Sequence, residues 1–121
     1  MTRKRDDKYS TQFGLWLREQ EAIDSKLGFR ATDLDYLWDN YLTGEWMLIE
    51  EKRRMHEITY PQREQFKKLH KAISDEKYKG FHLLQFEKES PEDGRIFLNH
   101  KEITKEELIK FLRFGNANKD S

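Results

Sequence analysis

Apolar side chains in the first half of the chain change from helical to strand spacing. Between residues 11 and 27 they fall on one stripe of a helix, which Gly28 can end. Over residues 31–39 apolar and polar side chains alternate, and a continuous apolar run follows the turn at Gly44. We therefore expect a helix over 11–27 and then a hairpin of two strands, 31–39 and 45–52.

The second half of the chain again alternates between helical and strand patterns. A helix is expected to begin near Pro61, since proline suits a first helical turn. Strands are expected over 81–86 and 95–98, separated by a turn rich in charged residues. The segment Thr104–Glu107 has the pattern of a capping box and opens a last helix, which ends near Gly115. The order α-β-β-α-β-β-α predicts an α/β fold with a mixed sheet.

The 121 residues fit one domain over 1–121, with segments 1–9 and 116–121 expected to be flexible. The aromatic share of 13% argues against a disordered chain. The absence of cysteine excludes disulfides, cysteine-ligated zinc and thiol nucleophiles. No stretch has the pattern of a signal peptide or the length of a membrane span, so we expect a cytoplasmic protein without membrane contact.

Positive and negative charges cancel over the whole chain but are unevenly distributed. Residues 19–51 hold nine acids and two bases, whereas residues 52–71 hold seven bases and two acids. The acidic block could hold a cation and the basic block could hold phosphate. The alternative is that solvated surface charges cluster without a binding role.

The most informative residues lie at the ends of the predicted hairpin. Residues two apart on a strand share a face, so Glu50 and Lys52 are expected to project together while Glu51 points away. The hairpin would bring Asp33 or Asp35 beside Glu50. Carboxylates are ligands that Mg²⁺ accepts, and a bound metal activates water for attack on phosphorus. A lysine at the same place can stabilise the charge that develops.

These residues resemble the motif of the PD-(D/E)XK nuclease superfamily. Asp35 matches its first acid and Glu50-Glu51-Lys52 its E-x-K, with Glu50 15 positions after Asp35. Leu34 stands where many members have proline. The flanking order also agrees, since that fold begins with a helix, followed by a β-meander carrying the site, a helix and another strand. Small phage-type nucleases and Holliday junction resolvases are the most similar members.

The resemblance implies a restriction-endonuclease-like αββαββα sandwich, in which helices flank a mixed central sheet. It implies an Mg²⁺- or Mn²⁺-dependent endodeoxyribonuclease with Asp35, Glu50 and Lys52 as catalytic residues. Asp35 and Glu50 would hold the metal, with Glu19 or Glu21 of the first helix as a third ligand. Glu19 is preferred because it lies nearer the apolar stripe.

DNA is the expected partner. The side chains expected to bind its phosphates are basic and follow the site: Arg53, Arg54, Arg63, Lys67, Lys68 and Lys71. One domain carries one site, so cutting both strands would favour a homodimer. Two alternatives remain: a catalytically inactive nuclease-fold protein that binds nucleic acid or regulates a phage or mobile element, and a protein-interaction domain with a basic helix. The four histidines show no paired metal-ligand spacing and are interpreted as structural or surface residues.

Overall fold

The computed structural model describes residues 11–115. Contacts separate two units, Met1–Thr32 and Asp33–Ser121, and the prediction of one domain stays a prediction. The segments expected to be flexible, 1–9 and 116–121, lie outside the described residues. Between residues 11 and 115 no helix is long and apolar enough to cross a membrane.

The first unit begins with a helix that is much shorter than predicted. Helix α1 covers Gln12–Arg18, and two 3-10 helices follow at Glu21–Ile23 and Ser25–Leu27. The prediction of one helix over 11–27 is therefore wrong. Gln20 and Asp24 have extended backbone angles, and the Asp24 carboxylate accepts the main-chain N–H of Lys26 at 2.8 Å. Such a local bond competes with helical bonds, and α1 buries no residue that would stabilise a longer helix.

The second unit contains a five-stranded mixed sheet and two helices. The strands are β1 (Tyr36–Asp39), β2 (Trp46–Lys52), β3 (Tyr78–Phe86), β4 (Ile96–Leu98) and β5 (Lys101–Ile103), and the helices are α2 (Tyr60–Ala72) and α3 (Lys105–Leu112). The strands lie in chain order, and all neighbours are antiparallel except β2 and β3. Parallel strands require a crossover, which α2 supplies. The α/β class and the mixed sheet are confirmed.

Strands β1 and β5 differ most from the prediction, and β3 begins at Tyr78 rather than at Phe81. Strand β1 begins at Tyr36 rather than at residue 31, because the main-chain N–H of Asp35 donates to the Glu50 carboxylate instead of to a ladder carbonyl. Strand β5 was not predicted, and it pairs Ile103 with Ile96 of β4. The predicted order therefore gains one strand before the last helix.

Helices α2 and α3 cover opposite faces of the sheet. Phe81 and His82 are neighbours on β3, and their rings contact Phe66 of α2 and Phe111 of α3, with centroids 4.6 Å and 4.9 Å apart. Successive residues of a strand point to opposite faces of the sheet, so α2 and α3 lie on different faces. The main core lies on the α3 side and is formed by Met47, Ile49, Leu84, Phe86, Ile96 and Leu108. The side chains of β2 that alternate with Met47 and Ile49 face α2, and Leu48 among them is the register partner of Phe81 on β3.

Candidate active site

Strand β2 presents Glu50 and Lys52 on the face that α2 covers. Glu50 is only 3% exposed although it carries a carboxyl group, and the Lys52 side chain is 19% exposed. The Lys52 Nζ lies 3.7 Å from Glu50 Oε2. The alternation of β2 therefore places these two side chains together, and Glu51 on the other face bonds the Tyr36 hydroxyl instead.

Asp35 joins this pair from the residue before β1. Its main-chain N–H donates to Glu50 Oε1 at 3.3 Å, and its own Oδ2 accepts the main-chain N–H of Glu51 at 2.8 Å. Asp35 is exposed, so the buried Glu50 lies beneath a carboxylate that solvent can reach. Of the two aspartates left open by the sequence, Asp35 is the one whose main chain and charge act on Glu50. Asp33 and Asp35 do not share a strand face as expected, because the strand starts after both.

Burial raises the pKa of the Glu50 carboxyl to about 7, and the negative charge of Asp35 adds to this effect. The Asp35 main-chain N–H and the Lys52 ammonium act in the opposite direction without cancelling it. Near neutral pH this carboxyl therefore takes up a proton that an ordinary glutamate would release. A hard cation between the two carboxylates would supply the same positive charge, and its preferred ligands are such oxygens.

A residue that the sequence analysis missed fixes the position of Lys52. The Lys52 Nζ donates to Gln62 Oε1 at 3.2 Å, and the same oxygen accepts the main-chain N–H of Thr59 at 3.1 Å. Thr59 and Gln62 form the capping box that starts α2. The ammonium group is thus tied to the first turn of a helix. The T-x-x-Q spacing before the helix was the available signal.

A second missed residue, Gln85, lies next to Lys52 across the parallel pair of strands. Its side chain is fully buried, and Nε2 donates to the carbonyl of His56 at 2.8 Å and to Glu57 Oε2 at 3.2 Å. Its Oε1 has no hydrogen-bond partner among the described residues. Gln85 therefore anchors the loop that leaves the site and presents one unsatisfied oxygen within the sheet.

Basic side chains lie on the exposed face of α2. Four of them line a shallow groove of about 420 Å³ together with Tyr60 and Glu64, and we call them the basic ridge: Arg63, Lys67, Lys68 and Lys71. Arg53 and Arg54 differ from this group because both contact the carboxylate of Glu89, Arg53 at 3.3 Å. Their predicted contact with phosphate would compete with this ion pair.

Comparison of the chain with family models, curated proteins and solved structures gave no match.

The proposed third metal ligand lies in the first unit. Glu19 is the C-cap residue of α1 and Glu21 opens a 3-10 helix, so the comparison of their positions on one long helix was wrong. Residues 11–115 contain no group of three or more acidic or histidine side chains suited to a metal. Mg²⁺ usually keeps several waters and takes one or two protein carboxylates, so Asp35 and Glu50 stay its predicted ligands. Glu19 as a ligand stays a prediction.

Proposed function

We propose that this protein is a metal-dependent nuclease that hydrolyses phosphodiester bonds of DNA. The observation that carries the proposal is the cluster of Asp35, Glu50 and Lys52, in which a buried glutamate sits against a second carboxylate and an anchored lysine. Burying a carboxyl beside another acid disfavours its charged form. A divalent cation would reverse this penalty, and hydrolysis of phosphodiesters is chemistry that such a cation serves.

The order of elements supports the same proposal. A hairpin that carries an aspartate and E-x-K, a crossover helix and a parallel strand are what the PD-(D/E)XK resemblance implies, and β1, β2, α2 and β3 follow that order. We propose a restriction-endonuclease-like fold on this basis. The β4–β5 hairpin and α3 would then be additions to it.

In this proposal Asp35 and Glu50 hold Mg²⁺ or Mn²⁺. When bound, the ion would supply an acidified water and would neutralise charge at the phosphoryl group. Hydrolysis would form a bond from the water oxygen to phosphorus and break the bond to the bridging oxygen, which would leave with the proton that the water gives up. Lys52 stabilises the added negative charge through its Nζ, which Gln62 holds in place.

The basic ridge would bind backbone phosphates, which gives affinity without sequence specificity. A homodimer would place two sites on a duplex, and we propose a phage-encoded enzyme that acts in the host cytoplasm. The phosphate contacts, the homodimer and the phage origin all depend on the nuclease proposal.

The test is cleavage of labelled linear, branched and single-stranded DNA with Mg²⁺, Mn²⁺ or EDTA. Asp35→Asn, Glu50→Gln and Lys52→Ala should each abolish cleavage while DNA binding survives, and Asp33→Asn is the matched control that should remain active. Only the two carboxylate variants should lose metal binding in calorimetry. Binding of DNA without cleavage by the parent in any metal would refute the enzyme and favour the inactive, nucleic-acid-binding alternative.

A further inference from the structure

A groove runs between α2 and the turn that joins β4 to β5. Its volume is about 270 Å³. Phe66, Phe81 and Leu83 form an apolar floor, and the two phenyl rings are stacked on each other. This volume lies just below the usual range for ligand pockets, about 300–1,000 Å³, so the groove suits one small ligand with a flat apolar part.

The rim of the groove is basic. Arg63 and Lys67 line it from α2, and His100 lines it from the turn. The nearby carboxylate of Glu57 is engaged by His100 Nε2 at 2.9 Å and by Gln85 Nε2 at 3.2 Å, so its charge is partly offset. An apolar floor under a basic rim complements a ligand that joins a planar ring to an anion.

The turn that carries His100 is held in a costly conformation. Asn99 and His100 have φ values of 51° and 71°, and glycine is the favoured second residue of such a two-residue hairpin turn. Asn99 fixes the turn on β3, because its N–H donates to the Leu83 carbonyl at 2.8 Å and its Oδ1 accepts the Leu83 N–H at 2.9 Å. A non-glycine residue in the left-handed region costs backbone free energy, which the surrounding structure must offset.

The groove is close to the candidate active site. Leu83 of its floor is the register partner of Glu50 on the neighbouring strand, where main chains lie about 4.8 Å apart. Arg63 and Lys67 also line the groove of the basic ridge. A phosphate chain lying along the ridge would thus lead into a pocket with an apolar floor.

We propose that this groove binds a single unpaired nucleotide of the substrate, with its base on the apolar floor and its phosphate at Arg63, Lys67 and His100. The inference rests on the proposed nuclease function and narrows its substrate. A base within a duplex is stacked and paired, whereas a base at a fork, flap or single-stranded end can leave the stack. The preferred DNA is therefore one with unpaired nucleotides next to a duplex.

The test measures binding in EDTA, so its outcome does not depend on cleavage. Isotope-labelled protein is titrated with dTMP, thymidine or inorganic phosphate while the amide resonances of Leu83, Asn99 and His100 are followed by NMR. dTMP should give saturable shifts at lower concentration than either fragment. Equal affinity for phosphate alone would mean a simple anion site and would overturn the proposal, as would the absence of saturation.

His100→Gly is the decisive variant because it removes the imidazole and relieves the backbone. It should weaken dTMP binding about tenfold, the loss of one charge-assisted hydrogen bond, without lowering the melting temperature. Arg63→Gln should show a similar loss if His100→Gly folds poorly. Lys110→Ala, on α3 and outside both grooves, is the control and should bind dTMP like the parent.

The same variants are then compared on a forked and a blunt duplex by fluorescence anisotropy in EDTA. The parent should prefer the fork, and His100→Gly should lose that preference while binding the blunt duplex unchanged. Equal preference in parent and variant would contradict the proposal. If the protein binds dTMP but cleaves no DNA, the proposed nuclease activity is refuted and the proposed nucleotide site is not.

Discussion

Replacing Glu50 by glutamine should remove a loss of stability that the parent shows as the pH rises from 4.5 to about 7. The pKa of Glu50 rises from 4.5 to about 7 on folding, chiefly through burial and then through Asp35. Each pKa unit corresponds to about 1.36 kcal/mol, so ionised Glu50 destabilises the folded state by about 3 kcal/mol. Because the folded pKa is the higher one, the favourable contribution is complete below pH 4.5 and is lost as the pH rises to about 7.

Glu50→Gln keeps the side-chain shape and removes the titration. In EDTA the variant should be more stable than the parent at pH 8 by about 2–3 kcal/mol, and no more stable than the parent at pH 4. Urea unfolding of both proteins at several pH values gives these free energies. Glu51→Gln changes the neighbouring carboxylate, which bonds Tyr36 on the other face, and is the matched control.

Divalent metal makes the prediction sharper. At pH 8, Mg²⁺ should stabilise the parent by mass action and leave Glu50→Gln nearly unchanged, because the variant lacks one ligand. A stability difference between parent and variant that is the same at pH 4 and pH 8 would refute the assigned pKa and the electrostatic reasoning built on it.

Two further predictions concern the surroundings of the site. Gln62→Ala should lower kcat roughly 10- to 100-fold with little change in KM, because Lys52 loses its anchor, and Gln62→Glu should restore much of the rate since it can accept the same bonds. Lys67→Ala combined with Lys71→Ala should lower the slope of log affinity against log salt on duplex DNA by about two, at roughly 0.9 per phosphate contact. Lys110→Ala on α3 is the control for the second measurement. An unchanged slope in the double variant would mean that the ridge residues are solvated surface charges without a binding role.

Strand patterns predicted the centre of the second unit well. The continuous apolar run at Trp46 predicted β2, and a period of two along it placed Glu50 and Lys52 on one face. The helix near Pro61 and the helix after Thr104 were also found, because proline in a first turn and a capping box act locally. Local hydrogen bonds and side-chain spacing can be predicted directly from the sequence.

Features that depend on distant contacts were missed. The apolar stripe over 11–27 predicted one helix, but none of the residues of α1 is buried and the Asp24 side chain starts a separate turn. Strand β5 offers only Ile103 as an apolar residue and exists through pairing with β4. The T-x-x-Q spacing predicts only a capping role for Gln62, not its contact with Lys52, and no local pattern shows that Gln85 is fully buried.

The placement of the charges favours a cluster of Asp35, Glu50 and Lys52 that binds further charged groups. An ion pair that served only stability would bring Lys52 Nζ into contact with the Glu50 carboxylate, since a buried carboxylate without close compensation is destabilising. Instead, Lys52 Nζ lies 3.7 Å from Glu50 Oε2 and donates a hydrogen bond to Gln62 Oε1 at 3.2 Å. The Glu50 carboxyl therefore keeps its raised pKa beside Asp35, while the positive charge is held at the first turn of α2. A cation at the carboxylates and a phosphate oxygen at the ammonium would satisfy both groups at once, which favours the nuclease proposal over a purely structural role.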